Sequence, residues 1–186
     1  MNRADDPGSA WVRPVPVEKQ EHPHAAWVAR IEEQVGKDTG LVSRVVQLFG
    51  PELNGIHGVD HWLRVYSNGM RLAELTGADR RVIRWFALLH DSCRRVDGSD
   101  REHGPRAAAF AREHREEIDL DDAAFDLLES AIACHTIGCS PTADITVRTC
   151  LDADRLDIGR VGLRVNPRLL YTDEARAEAR HRGRSD

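Results

Sequence analysis

Two histidines and two aspartates in this sequence have the types and the order of a metal-binding set. His90 and Asp91 are adjacent at the end of a long apolar run, His61 lies upstream, and Asp154 lies in a carboxylate-rich segment downstream. Imidazole nitrogen suits Zn, Mn, Fe, Co and Ni, while carboxylate oxygen suits Mg and Mn and can bridge two ions. Four such ligands leave positions open on an octahedral ion, which is typical of a catalytic site. We therefore expect a metal-bound water that gives a hydroxide nucleophile near neutral pH.

Two consecutive helices with different apolar patterns are predicted to position this set. The first should begin at residues 57–59 and run to Thr76, with an apolar stripe at helical spacing on one face. Gly77 is a suitable C-cap for it, and Asp79 is a suitable N-cap for the next helix. That second helix is apolar on nearly all sides over residues 82–89, which indicates burial. The His-Asp pair that follows it is therefore expected in the middle of the protein.

The remaining pattern predicts a wholly helical protein. Apolar residues recur at helical spacing along most of the chain, and no alternating strand pattern is convincing. The predicted fold class is all-α, a bundle of about six to eight helices around the central metal site. Further helices are predicted at residues 25–35, 41–49 and 101–116, from Asp121 or Asp122 to His135, and at 143–151.

The chain is predicted to form one domain with short flanking segments. Its 186 residues suffice for one core and are too few for two. Residues 1–24 contain four prolines and no periodicity, so we expect an extended or disordered arm. Residues 25–170 should form the helical domain, and residues 171–186 a charged tail.

Composition and charge disfavour several classes of partner. The net charge of −5 argues against a nucleic-acid polymer, which would favour a basic face. No stretch approaches the roughly 20 apolar residues of a membrane span, and the N-terminus lacks the apolar core of a signal peptide. We therefore expect a cytoplasmic protein with no membrane contact, and free thiols at its four cysteines. The oligomeric state stays open, with a homodimer as one option.

The ordered set resembles the HD-domain superfamily of metal-dependent phosphohydrolases, whose members carry H…HD…D on an all-helical core. The match runs through His61–Val65, Leu88–Asp91 and Asp152–Asp157, and the resemblance covers residues 41–165 approximately. The resemblance implies four metal ligands: His61, His90, Asp91 and Asp154. We expect one divalent ion rather than two, drawn from Mn, Fe, Mg, Ni, Co or Zn.

Two further histidines lie where many HD-family members carry extra ones. His103 opens a helix after the His-Asp loop, and His135 ends the apolar face of a later helix. The resemblance implies that such residues bind a second metal or contact the substrate phosphate, so we assign both to the catalytic group together with Asp91. The alternative for each is a hydrogen-bonded core histidine.

Four residues are predicted to bind the substrate. Arg94 and Arg95 directly follow the His-Asp pair, and Arg106 lies one turn into the next helix. The planar guanidinium group donates two parallel hydrogen bonds to a phosphate, although each of these arginines could equally form a surface ion pair. His57 precedes His61 by four residues, so the two share a helix face if the helix begins early enough.

These features predict a phosphohydrolase that acts on a nucleotide or another small phosphate ester. Metal-bound hydroxide would attack phosphorus, Asp91 would hold the metal and orient the water, and nearby histidines and arginines would offset the developing charge. One alternative is an HD-type oxygenase with two irons, which would need His103 and His135 as ligands beside the first four. A second alternative is an HD core without catalysis that senses nucleotides.

Overall fold

The described part of the chain is helical. The computed structural model describes residues 24–36, 40–137 and 144–183. Within these ranges eight α-helices occur and no strand, which confirms the all-α class. Apart from His24, the predicted N-terminal arm lies outside the described residues. The α-helices are α1 Ala25–Val35, α2 Leu41–Leu48, α3 Val59–Thr76, α4 Arg80–Leu89, α5 His103–Glu113, α6 Asp122–Ile137, α7 Ile145–Arg155 and α8 Asp173–Arg182.

Helices α3 and α4 have the predicted caps and the predicted burial. Gly77 closes α3 in the left-handed conformation, with φ of 75°, which glycine adopts without a Cβ clash. Asp79 begins α4, and its carboxylate accepts the amide of Arg81. Residues 82–89 are buried except for one arginine. Helix α4 therefore delivers His90, which follows it, to a fully buried position.

Helix α7 extends beyond the predicted end at residue 151. It begins after Asp144, whose carboxylate accepts the amides of Thr146 and Val147, and continues to Arg155. The predicted end was wrong because the aspartates beyond residue 151 have a low helix propensity, and tertiary contacts can override such a local preference. In the folded chain these carboxylates are bound by other segments, so the last turn remains helical.

The C-terminal segment contains a packed helix. Residues 171–186 are predicted as a charged tail, but α8 occupies most of their described part. Ala175 and Ala179 form its buried face, and alanines among many charges give a weak apolar stripe. The face packs on a small apolar cluster formed by Leu72, Leu156 and Leu170. The domain boundary at residue 170 stays a prediction.

Asp152 attaches this C-terminal segment to the end of α7. Its side chain is fully buried. One carboxylate oxygen accepts the amide of Tyr171 at 2.8 Å, and the other accepts the amide and the hydroxyl of Thr172, both at 2.8 Å. The Thr172 hydroxyl in turn caps α8 by accepting the amide of Ala175. One buried carboxylate therefore fixes the start of the last helix.

The predicted free thiols and the predicted lack of a membrane span can be compared with the structure. Cys93 and Cys150 are free thiols as predicted, whereas Cys134 is disulfide-bonded. The prediction of a free thiol is wrong there because disulfide formation depends on how close two cysteines lie in space, and no Cys-x-x-Cys spacing is needed. Among the described helices, none is long and apolar enough to cross a membrane.

Replacing Asp152 with alanine should destabilise the protein strongly. Asp152→Ala leaves two amides and a hydroxyl without their buried acceptor, so we expect the free energy of unfolding to fall by about 3 kcal/mol. Urea denaturation measures the loss, and hydrogen exchange should show faster exchange in α8. Asp173→Ala, which removes a side chain that is 93% exposed, is the matched control and should cost less than about 1 kcal/mol. Equal effects in the two variants would contradict the proposed attachment.

Candidate metal centre

Two clusters of histidine and aspartate side chains meet in the centre of the bundle. The first contains His61 from α3, His90 from the end of α4, and Asp154 from the last turn of α7. The second contains Asp91 with His103 and His135, which come from the start of α5 and the end of α6. Within each cluster, the potential ligand atoms all lie within 4.8 Å of one another. The structure thus brings together all six residues predicted as metal ligands or catalytic residues.

Asp91 connects the two clusters. Its Oδ2 lies 3.5 Å from His61 Nε2 and 3.7 Å from His90 Nε2. Its Oδ1 lies 2.9 Å from His103 Nε2 and 3.5 Å from His135 Nε2. The side chain is only 3% exposed. Each carboxylate oxygen therefore faces one pair of imidazoles, an arrangement in which a carboxylate can bridge two ions.

In the first cluster, hydrogen bonds at Nδ1 orient both imidazoles. His61 Nδ1 lies 2.8 Å from Asp157 Oδ2, and His90 Nδ1 lies 3.1 Å from the carbonyl oxygen of Phe86. Both partners are acceptors, so Nδ1 must carry the ring proton in the neutral imidazole. Nε2 then has the free lone pair, and in both rings it points toward the centre.

In the second cluster, hydrogen bonds at Nδ1 also orient both imidazoles. His103 Nδ1 lies 2.5 Å from the carbonyl oxygen of Asp100, and His135 Nδ1 lies 2.6 Å from that of Ile132. Their Nε2 atoms face each other at 2.9 Å, as those of His61 and His90 do at 3.1 Å. Two lone pairs at such distances repel unless a proton or a cation satisfies them. The donor set therefore fits a divalent cation at each cluster, held by imidazole nitrogen and carboxylate oxygen.

The charges of the first cluster suit metal binding. Burial lowers the pKa of His90 to about 3, so this imidazole is neutral. Burial opposes the ionisation of Asp91, yet the surrounding imidazoles hold its pKa well below the usual range. Burial likewise opposes the charge on Asp154, but a hydrogen bond with His61 holds its pKa low. For His61 itself, burial is outweighed by the two carboxylates of Asp154 and Asp157, which raise its pKa.

Gly104 allows the second cluster to form. A Cβ at this position would lie 2.4 Å from Thr136 Oγ1 and 2.8 Å from the carbonyl oxygen of Ile132. Such contacts are too short for any side chain larger than hydrogen, so α5 and α6 approach each other closely at this point. The close approach allows His103 on one helix to reach His135 on the other.

A cavity of about 280 Å³ opens beside the two clusters. Side chains from both clusters line the cavity. The lining also contains residues that were predicted to bind the substrate and residues that were not. His57 and Arg94 are the predicted substrate residues that line the cavity, whereas Arg101 and Arg160 had no sequence signal of their own. Arg160 lies in the 3₁₀ turn Ile158–Val161, just after the Asp154 segment.

Arg94 and Arg160 are nearly buried cations at this cavity. Each side chain is 11% exposed. The Nε atom of each is buried and has no hydrogen-bond partner among the described residues. Arg94 Nε lies 3.9 Å from Asp91 Oδ1, and Arg160 Nη2 lies 3.8 Å from Asp154 Oδ1, both too long for a hydrogen bond. Buried donors without acceptors are costly, so these two groups are suited to an anionic ligand.

The other two predicted arginines do not line this cavity. The Arg106 guanidinium lies 2.6 Å from Asp100 Oδ2 and donates to the carbonyl of Cys93 at 3.0 Å. Arg95 is exposed, and its backbone amide donates to the same Asp100 carboxylate at 2.9 Å. Both residues therefore stabilise the loop between α4 and α5. In Arg106 the guanidinium group, which was expected to bind phosphate, makes these loop contacts instead.

His57 precedes α3 and reaches the cavity from outside the helix. Its Nδ1 lies 2.9 Å from Asp97 Oδ1, which places the ring proton on that nitrogen. Burial lowers the pKa of His57, although the contact with Asp97 works in the opposite direction. Nε2 has no hydrogen-bond partner within the described part of the chain. The neutral ring can therefore accept a hydrogen bond from a ligand in the cavity.

The carboxylates of the Asp152–Asp157 segment have three different partners. Asp152 binds the C-terminal segment, Asp154 faces the metal centre, and Asp157 binds His61 and also accepts from Arg64 Nε at 2.7 Å. The role of Asp157 in orienting a ligand imidazole was not predicted. The sequence did contain a signal for this role, because Asp157 lies one turn after Asp154. That spacing places both carboxylates near the same end of the helix.

Comparisons with known proteins agree with this geometry. The HD domain family model matches residues 58–159, which is more than half of the chain. The chain therefore belongs to the HD domain family, which confirms the resemblance. HD domains bind divalent metals, and the two clusters provide the side chains to do so. No curated protein matches the chain.

One solved structure gives the same fold. The chain is similar to the crystal structure of a predicted HD superfamily hydrolase from an uncultured Thermotogales bacterium. The two share 26% sequence identity, and the alignment covers 88% of this chain and 87% of that one with a TM-score of 0.57. The similarity supports the helical arrangement that brings the clusters together.

Metal binding at the first cluster should weaken as the pH falls through the raised pKa of His61. A proton on His61 excludes the ion, while Asp91, Asp154 and His90 remain deprotonated in that range, so the affinity should fall about tenfold per pH unit. Asp157→Asn removes a carboxylate that raises this pKa, so the decline should begin at a lower pH.

Calorimetric titration with Mn²⁺ across neutral and mildly acidic pH measures this effect. Asp60→Asn is the matched control, because Asp60 precedes His61 in α3 but is paired with Arg30 at the surface. Its profile should coincide with that of the unsubstituted protein. A pH-independent affinity, or the same shift in both variants, would contradict the assignment of Asp157.

Proposed function

We propose that this protein is a metal-dependent phosphohydrolase that acts on a nucleotide or another small phosphate ester. The observation that carries the proposal is the pair of buried, incompletely bonded guanidinium groups of Arg94 and Arg160 beside the two clusters. A phosphoryl group offers several anionic oxygens, and arginine is well matched to bind them. The family membership and the hydrolase name of the similar solved structure support the same class of reaction.

The residues of the cavity would have different roles in phosphate hydrolysis. A divalent ion in this centre would polarise the phosphoryl group and lower the pKa of a coordinated water. Arg94 and Arg160 would bind the phosphoryl oxygens and offset the charge that develops on them. Asp91 would hold the ion from its position between the imidazole pairs, and His103 and His135 would face the centre with their Nε2 atoms.

His57 favours a substrate that carries a hydroxyl group. Its Nδ1 is bound to Asp97, so Nε2 is the ring atom that would accept a hydrogen bond from the substrate. A nucleotide ribose or another polyol phosphate has such a hydroxyl near the phosphate. The cavity of about 280 Å³ has the size of a small-metabolite site. The proposed partner is therefore a small phosphorylated metabolite of the cytoplasm.

The second cluster favours one other candidate function, an oxygenase with two irons. That chemistry needs six ligands with a shared carboxylate, and the six residues of the two clusters, with Asp91 between the imidazole pairs, would provide them. The same geometry favours two ions over the single ion expected from the sequence. We place hydrolysis first because the buried arginines give no advantage to oxygen activation, while they directly suit a phosphoryl group.

Replacing Arg94 should reduce phosphatase activity, whereas replacing its neighbour should not. Arg94→Gln removes a guanidinium that faces the reacting group, and we expect kcat/KM to fall about 100-fold. Arg95→Gln is the matched control, since that side chain is exposed and does not line the cavity. Initial rates on a panel of phosphate monoesters and diesters measure both. Equal losses in the two variants, at unchanged metal content, would contradict the proposal.

Metal removal should abolish the activity reversibly. Prolonged chelation should eliminate turnover of the ester panel, addition of Mn²⁺ should restore it, and Asp91→Ala should remain inactive because the shared carboxylate is lost. Elemental analysis of protein purified without added metal gives the identity and number of ions. About two irons per chain with substrate-dependent oxygen consumption would favour the oxygenase. Metal-loaded protein that hydrolyses no ester would overturn the hydrolase.

A further inference from the structure

A second cavity lies between the segment that follows α7 and helix α8. Its volume is about 650 Å³, which is within the usual range for small-molecule sites. It shares no lining residue with the cavity at the metal centre. Much of its lining is aliphatic: Ile158, Leu163, Val165, Leu169 and Leu170. The cavity thus offers an apolar surface that the metal chemistry does not use.

Arginines surround this apolar surface. The cavity is lined by Arg155, Arg164, Arg168 and Arg176, and by no aspartate or glutamate. This lining is positive although the chain as a whole has a net charge of −5. The local charge therefore favours an anionic ligand.

Two of the four arginines are available to a ligand. Arg155 donates to the carbonyl of Leu169 at 2.6 Å, and Arg176 is paired with Asp173 at 2.7 Å. The guanidinium groups of Arg164 and Arg168 have no ion pair or hydrogen bond within the described ranges, and both residues are exposed. Both guanidinium groups are therefore free to bind an anionic group in the cavity without breaking an existing contact.

The composition of the apolar part favours an acyl chain over a nucleobase. Leu163 and Leu169 are 59% and 64% exposed, so a chain lying along them would remove apolar surface from water. Tyr171 is the one aromatic residue in the lining, and the Arg155 guanidinium already lies 4.3 Å from its ring centroid. One face of this ring is therefore already covered, and the rest of the apolar lining is aliphatic, so a planar base would find little to stack on.

We propose that this cavity binds a free amphipathic anion, an unbranched acyl chain with a carboxylate headgroup held by Arg164 and Arg168. The cavity volume of about 650 Å³ suits a single chain, and the arginines of the lining suit its headgroup. Arg155 and Ile158 lie in the wall of the cavity and flank the segment that contains Asp157. A bound chain would thus contact the segment that orients His61, but its binding does not depend on the proposed hydrolase activity.

Titration calorimetry with dodecanoate, kept below its micelle concentration, tests the proposal on the full-length protein. We expect saturable binding of one molecule per chain. The double variant Arg164→Gln and Arg168→Gln should weaken binding about tenfold or more, since both charged hydrogen-bond donors are lost. Leu169→Glu, at an exposed position, should also weaken binding by placing a carboxylate at the mouth. Dodecanol should bind about tenfold more weakly than dodecanoate.

Control variants locate the binding site. Arg80→Gln, on the exposed surface of α4, and Arg160→Gln, in the metal-centre cavity, should both leave dodecanoate binding unchanged. Circular dichroism and thermal unfolding verify that each variant is folded. Absence of saturable binding would overturn the proposal, as would equal binding of dodecanol and dodecanoate or loss of binding in Arg160→Gln.

Two further outcomes would identify a different occupant and would also overturn the proposal. The first is binding to phosphatidylglycerol vesicles without binding of free dodecanoate. The second is a dimer in sedimentation analysis that Leu169→Glu dissociates and that dodecanoate leaves intact, because a second copy of the chain would then cover the cavity.

Discussion

A buried carboxylate between four imidazoles is the constraint on which the rest of this structure depends. An ionised group removed from water is costly unless nearby groups compensate its charge. Asp91 is 3% exposed, and its two oxygens face imidazoles that belong to four different helical segments. Four segments of the chain must therefore meet at one residue. Helix α4, apolar on almost every side, brings that residue to the centre, and the other helices enclose it.

The imidazoles are oriented in two different ways. Three of them use main-chain carbonyls within four residues along the chain, those of Phe86, Asp100 and Ile132, so local helix and loop geometry determines their direction. His61 instead uses the carboxylate of Asp157, which is distant in sequence. Its orientation and basicity therefore depend on correct packing of α3 against α7. The centre is preorganised at three positions by the backbone and at the fourth by tertiary structure.

The sequence was sufficient for the helical class and for the caps of α3 and α4, because each has a local signature. The grouping of six potential ligands was implied by the resemblance to HD domains. Other features depend on contacts that no local pattern encodes. Arg160 reaches the cavity from a 3₁₀ turn whose direction is determined by packing. Arg106 has the expected spacing, but the conformation of the loop places Asp100 beside it. Helix α8 packs through alanines, whose apolar signal is weak among so many charges.

The absent side chain at Gly104 has a consequence for the evolution of such centres. Helices α5 and α6 approach so closely there that even one methyl group would meet Thr136 and the Ile132 carbonyl. Such a substitution would separate the histidines of the second pair while leaving His61, His90 and Asp154 in place. The second pair of histidines thus depends on a residue that binds nothing. A single glycine-to-alanine codon change would therefore disturb this pair without altering any potential ligand.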